Sequence, residues 1–236
     1  MKLSMYWISR ARITELITSL LSFITTASDN SKIEYIVAID DDDKETIEGL
    51  EKIKHILKKL YNVDLKVIVS KRHGYHSIHM YHNLVAKEFT GDCMCTFNDD
   101  MFCVSKDWDV SIRSSIESHM DEPLLIFKKG IDEEHKWWPT AHGINRKWLD
   151  IASNNFKNYA FMHPGMDVWL QRFATEFNLK VIEPKYDIMH IQKKELRFEN
   201  PFSVQNRTPE QQKFYEIFSQ YHMKLVKENF AKWISR

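Results

Sequence analysis

Short apolar runs alternate with segments of helical periodicity through the first hundred residues, and this alternation narrows the fold more than any other feature of the chain. Leu3–Ile8 reads as a strand, and Ile13–Thr26 as a helix with Ile13, Leu16, Ile17, Leu20, Leu21 and Ile24 on one face. Residues 35–39, 65–69 and Cys93–Phe97 read as the next strands, with helices over 45–60 and from about 75 to 88 between them. A βαβαβαβ order needs crossover connections, which are right-handed and build a mostly parallel, Rossmann-like sheet flanked by helices. Ligands of such sheets gather beyond the carboxyl ends of the strands.

The residues just past each strand are therefore informative. The second strand runs into Asp40-Asp41-Asp42-Asp43, the third into Lys71-Arg72-His73-Gly74 and the fourth into Asn98-Asp99-Asp100. All three segments share one edge of the expected sheet. Two carboxylates where a central strand runs out suit a hard divalent ion, Mg²⁺ or Mn²⁺, which takes oxygen ligands and usually holds a phosphorylated substrate too. Asp43, just ahead of Glu45, reads as a helix cap, whereas Asp40, nearest the strand, is the member placed to touch ligand. Two acid clusters at two strand ends suggest an enzyme that handles a metal-bound nucleotide.

The second half is less regular. Helices are expected over 108–119 and 165–177, strands over Leu124–Lys128, 179–182 and 186–191, a loop over 192–208, and a closing helix from Pro209 to about 233. The resulting division is 1–104, then 105–191 of the same domain, and a C-terminal loop and helix over 192–236. The polar loop 130–139 ends in Trp137-Trp138-Pro139; the two tryptophans either pack in the core or stack on a ligand. Asp167 stands in a first helical turn, where an acid also stabilises the helix dipole.

Composition removes several function classes. Thirty-three basic and thirty-three acidic residues cancel, so a broad basic face for nucleic acid is not expected. Cys93, Cys95 and Cys103 lie in or beside a core strand and read as free thiols of a reducing compartment. The most apolar stretch, 16–27, is interrupted by hydroxyl residues, and the N-terminus lacks a secretory pattern; a soluble, cytoplasmic protein is expected. His73, His76, His79 and His82 recur at three-residue steps, which fan around a helix and cannot converge on one zinc ion. His73, beside Gly74, is the one that would face ligand.

The order of these features resembles that of GT-A glycosyltransferases, closest to the family 2 type, well over about 3–104 and loosely over 139–191. The pattern has a first strand ending in a polar turn (Ser9-Arg10), a second ending in acid (Asp40 to Asp43), a third followed by a turn and a helix with an asparagine (Arg72-His73 to Asn83), and a fourth ending in a DxD-type motif (Asn98-Asp99-Asp100). The resemblance implies a nucleotide-diphospho-sugar donor, a UDP-sugar among the candidates, held by Ser9, Arg10, Asp40, Asp42, Arg72, His73, Asn83 and Asp99. It implies a Mn²⁺ or Mg²⁺ ion on Asp100 and on a late-strand histidine, His190, and a glycan or other hydroxyl acceptor met by Trp137 and Trp138. It further implies an inverting reaction with Asp167 as general base. Asn98 replaces the first acid of the motif, which shifts metal binding onto Asp100. Two alternatives stand beside this: a Mg²⁺-dependent phosphotransferase or phosphatase centred on Asp40 to Asp43, and a non-catalytic nucleotide-binding module.

Overall fold

The computed structural model describes residues 1–74, 77–131, 140–154, 161, 166–191 and 209–235. A seven-stranded sheet occupies its centre. Leu3–Ile8 (β1) is flanked by Ile33–Asp40 (β2) on one side and Cys93–Phe97 (β4) on the other, and Leu65–Ser70 (β3) lies outside β2; all pair in parallel. β1 and β4 are buried along nearly their whole length, which is why they read as unbroken apolar runs and not as alternating ones. Helix α1 (Ile13–Thr26) connects β1 to β2 and α2 (Lys44–Tyr61) connects β2 to β3. The chain then reverses across the sheet through α3 (Ile78–Glu88) to reach β4. Winding in opposite directions from β1 leaves a crevice between the carboxyl ends of β1 and β4, the switch point at which doubly wound sheets bind ligands.

Beyond β4 the sheet turns mixed. β5 (Met101–Cys103) leaves it, α4 (Trp108–Ile116) comes next, and β6 (Leu124–Lys128) and β7 (Ala141–Asn145) return. β7 lies between β4 and β6 and is antiparallel to both. Its Gly143 is opposite Cys95, and a Cβ there would lie 2.5 Å from Cys95 Sγ and 2.8 Å from the Met94 carbonyl oxygen. Only glycine allows that approach. Asn145 ends β7 and caps α5 (Arg146–Ser153) by accepting from Trp148 N–H at 3.0 Å. α6 (Met166–Glu176), β8 (Lys180–Ile182, parallel to β6), β9 (Ile188–His190, antiparallel to β5) and α7 (Pro209–Ile234) complete the described chain.

Two apolar layers close the faces. On one, Leu16, Leu20 and Phe23 of α1 and Leu50 and Leu57 of α2 pack on Trp7, Tyr35 and Phe97. On the other, Tyr81 and Val85 of α3 join Trp148, Leu170, Phe173 and the α7 residues Val226 and Phe230. Cys93, Cys95 and Cys103 are free and buried. No described helix is long and apolar enough to cross a membrane.

Some expected boundaries shift. α3 begins at Ile78, so His73 precedes it, and the strands expected over 179–182 and 186–191 are confined to β8 and β9. β5, β7 and α5 were not expected, because three residues are too few to register and the sequence of β7, Ala-His-Gly-Ile-Asn, has no strand periodicity. The 192–208 loop lies outside the described residues.

Candidate active site at the strand ends

The crevice between β1 and β4 is bridged by the turn at residues 9–12. Ser9 follows β1; its N–H donates to the Ala38 carbonyl of β2 at 3.3 Å, and its hydroxyl donates to Asp99 Oδ2 at 2.7 Å. Ala11 adopts φ 53°, the left-handed region, and its N–H is held by Asp43 Oδ2 at 2.7 Å. Asp43 also caps α2, its other oxygen accepting from Thr46 N–H at 3.3 Å. The cap reading of Asp43 therefore holds, with a second duty as anchor of the turn.

Arg10 reaches the β2 acids. Nη1 donates to Asp40 Oδ2 at 2.7 Å and also to Asp42 Oδ1, while Nη2 lies 3.1 Å from Asp42 Oδ2. Hydrogen bonds to Asp42 hold the Arg10 proton more tightly still, and the same bonds keep the Asp42 carboxyl below the usual range. Arg72, after β3, stands 3.7 Å from Asp42. Tyr81, on α3, donates its hydroxyl to Asp40 Oδ1 and accepts from the His73 backbone N–H at 2.9 Å. One phenol thus ties the 71–74 segment to the end of β2. Burial raises the Tyr81 proton affinity, and the bond to Asp40 adds to it. The His73 ring stands edge-on to Tyr81, its pKa lowered mainly by burial.

Arg12 reaches the β4 acids, with Nη1 at 2.6 Å from Asp99 Oδ1 and Nη2 at 3.5 Å from Asp100 Oδ2. Burial pushes the Asp99 pKa up to about 6, against the pull of Arg12 and Ser9. Burial acts on Asp100 in the same sense, but its hydrogen bond to His190 and the charges of His190 and Arg12 outweigh it, and the pKa falls. His190 arrives through the β5–β9 ribbon: it pairs with Met101, and Ile191 N–H donates to the Asp100 carbonyl at 3.0 Å. Its Nε2 lies 3.1 Å from Asp100 Oδ1.

That spacing bears on the expected cation. Adjacent ligands of an octahedral ion at about 2.1 Å lie about 3.0 Å apart, so Asp100 and His190 are placed as a neighbouring pair. Among the described residues no three His, Cys, Asp or Glu side chains gather into a complete cage. A Mg²⁺ or Mn²⁺ ion on Asp100 and His190 would complete its shell with water and substrate phosphates. The residues fit the ion.

Ser9, Arg10, Asp40, Asp42, Arg72, His73, Asp99, Asp100 and His190 thus lie at one edge, joined by the 9–12 turn and Tyr81. Asn83 has other company: its amide donates to the His79 and Phe161 carbonyls at 2.8 and 2.7 Å, and its oxygen accepts from Phe161 N–H at 3.1 Å. Asp167 accepts from the adjacent Val168 N–H at 2.8 Å in the first turn of α6. Trp137 and Trp138 lie outside the described residues. Two participants were not expected from the sequence. Arg12 could have been found as the second arginine of Ser9-Arg10-Ala11-Arg12, whereas Tyr81 sits in an ordinary apolar helix face and carries no signal.

Neither a family model nor a curated protein matches the sequence. Solved structures do match the fold. Residues 1–349 of TarS from S. aureus superpose with a TM-score of 0.57 at 16% identity over 80% of this chain. A complex of the same TarS fragment with UDP-GlcNAc gives 0.55 at 17% identity, covering 80% of this chain and 57% of that one. The mannosyltransferase PcManGT from Pyrobaculum calidifontis, in complex with GDP-Man and Mn²⁺, gives 0.63 at 10% identity over 99% of this chain and 75% of that one. The chain spans 59% of the length of the TarS fragment. The fold is of the GT-A glycosyltransferase type.

Proposed function

We propose that the protein is a divalent-cation-dependent glycosyltransferase of hexosyl type, which moves a sugar from a nucleotide-diphospho-sugar donor to a hydroxyl acceptor. The observation that carries this reading is the placement of Asp100 with His190 at the β1/β4 switch point, beside the arginine-bearing 9–12 turn. GT-A neighbours with UDP-GlcNAc or with GDP-Man and Mn²⁺ support it.

Asp40, Asp42, Arg10 and His73 would face the nucleoside end of the donor, and Asp99 its ribose and sugar. Asp100 and His190 would hold the cation, which supplies positive charge to offset the leaving diphosphate. Arg72 suits phosphate oxygens through its planar fork. In an inverting reaction the acceptor oxygen bonds to the anomeric carbon as the carbon–oxygen bond to the diphosphate breaks, and the nucleoside diphosphate leaves with the electron pair. The acceptor proton passes to the Asp167 carboxylate. Trp137 and Trp138 would stack on a sugar acceptor. The phosphotransferase reading has less to work with, since both Asp40 oxygens are already engaged by Tyr81 and Arg10 and Asp43 caps α2.

A thermal-shift screen of UDP-GlcNAc and GDP-Man with and without Mn²⁺ tests the reading. A donor at about 100 times its dissociation constant stabilises by about 2.7 kcal/mol, roughly 5–10 °C for a chain of this size. No shift with any nucleotide sugar defeats the proposal, and a shift indifferent to Mn²⁺ favours a binding module. The base assignment has its own check. Asp167→Asn should lower kcat on the order of a hundredfold or more with donor affinity retained, and an unchanged kcat removes Asp167 from the role.

A further inference from the structure

The 9–12 turn distributes its two arginines between separate acid groups. Ala11 in the left-handed region costs on the order of 1–3 kcal/mol in conformational strain, and Asp43 fixes it there. The flanking side chains are thereby sent apart, Arg10 to Asp40 and Asp42, Arg12 to Asp99 and Asp100.

The two arginines are held differently. Arg10 bonds both of its carboxylates closely, whereas Arg12 bonds Asp99 at 2.6 Å, reaches Asp100 only at 3.5 Å, and leaves 38% of its side chain exposed. Its guanidinium supplies one positive charge against two carboxylates and stands nearest Asp100 Oδ2, the oxygen not paired with His190.

Resting on the donor reading above, we propose that Arg12 is an internal counter-ion: it shields Asp99 and Asp100 from a lone divalent cation and moves to the donor diphosphate when nucleotide arrives, so that cation and nucleotide bind as a coupled pair. Two physical facts carry the exchange. A guanidinium beside Asp100 repels an incoming cation and weakens its affinity for the empty site. A donor diphosphate carries two negative charges and offers the same planar fork a pair of phosphate oxygens for a close bidentate contact, whereas Arg12 reaches Asp100 only at 3.5 Å. Coupling of this kind is reciprocal, so the nucleotide must tighten the metal by the factor by which the metal tightens the nucleotide.

Mn²⁺ uptake by the full chain without nucleotide, followed through the EPR signal of free Mn²⁺, tests the shield. Arg12→Gln is expected to bind lone Mn²⁺ about fivefold tighter or more, within the usual range of coupling factors, and Arg10→Gln less than about twofold tighter, because Arg10 serves the other acid group. Arg12→Gln should also weaken UDP or GDP binding in the presence of Mn²⁺. Arg12→Lys keeps the charge and loses the fork; it should hold lone Mn²⁺ affinity near wild type while nucleotide binding weakens. Unchanged or weaker lone Mn²⁺ binding by Arg12→Gln, or equal tightening by Arg10→Gln, overturns the proposal. Failure of the donor reading shows separately, as a wild-type protein that binds neither UDP nor GDP with Mn²⁺, and that result overturns the exchange as well.

Discussion

Asp100→Ala is expected to lower metal-dependent sugar transfer, or donor hydrolysis in the absence of acceptor, on the order of a thousandfold. A cation at the diphosphate stabilises the leaving group by several kcal/mol, and about 4 kcal/mol corresponds to that factor. Asp100 is the one member of the Asn98-Asp99-Asp100 motif placed against His190, at 3.1 Å. Asp99 differs: its two oxygens are taken by Ser9 and Arg12, and burial raises its pKa to about 6. Loss of the Asp100 carboxylate should leave His190 as a lone ligand, and one imidazole holds Mg²⁺ or Mn²⁺ poorly. The fold should survive, because neither apolar layer includes Asp100. The readings are turnover with and without Mn²⁺ and the Mn²⁺-dependent part of the donor thermal shift. Wild-type turnover in the variant, or an unaltered response to Mn²⁺, would remove Asp100 from the cation site and take the DxD reading with it.

The parts of this architecture legible in the sequence were those that the hydrophobic effect writes locally. β1, α1 and β4 were expected with the bounds they have, because strands buried on both faces are continuous apolar runs and α1 carries a sustained stripe. Clustering of Asp40 with Asp99 and Asp100 came from topology alone, since every one of them ends a parallel strand. The features that stayed illegible depend on partners distant in the chain. β7 is a strand because β4 and β6 flank it, and its Gly143 answers a steric demand set by Cys95. The Tyr81 hydroxyl is a site group only because β2 ends beneath it. Arg12 needed the left-handed turn at Ala11, which no residue preference announces.

The largest stability effect expected outside the site concerns His142. It lies on β7 opposite Thr96, buried, with neither ring nitrogen hydrogen-bonded among the described residues. Its ring stands 5.9 Å from that of His82, which in turn meets the Tyr6 hydroxyl at 2.6 Å and packs against Phe161. Burial lowers the His142 pKa to about 4, and it lowers that of His82 well below the ordinary value, with the charges of His142 and His79 adding to it. The folded pKa therefore lies beneath the unfolded value of 6.5, so the unfolded chain takes up the proton first as the pH falls. The associated stability is complete above about pH 6.5 and is lost between there and about pH 4. At pH 5 the loss from His142 alone is about 2 kcal/mol, or roughly 4–8 °C in Tm. His142→Leu removes the titrating ring, keeps an apolar body of similar size and breaks no hydrogen bond. At pH 7 the variant should be at least as stable as the wild type, because it relieves two unsatisfied polar atoms. Between pH 7 and pH 5 its Tm should fall by several degrees less, the remaining decline coming from His82 and the carboxylates. Thermal unfolding followed by circular dichroism at the two pH values decides it: parallel declines in both proteins would show that the ring is hydrated or partnered and that its burial does not govern acid lability.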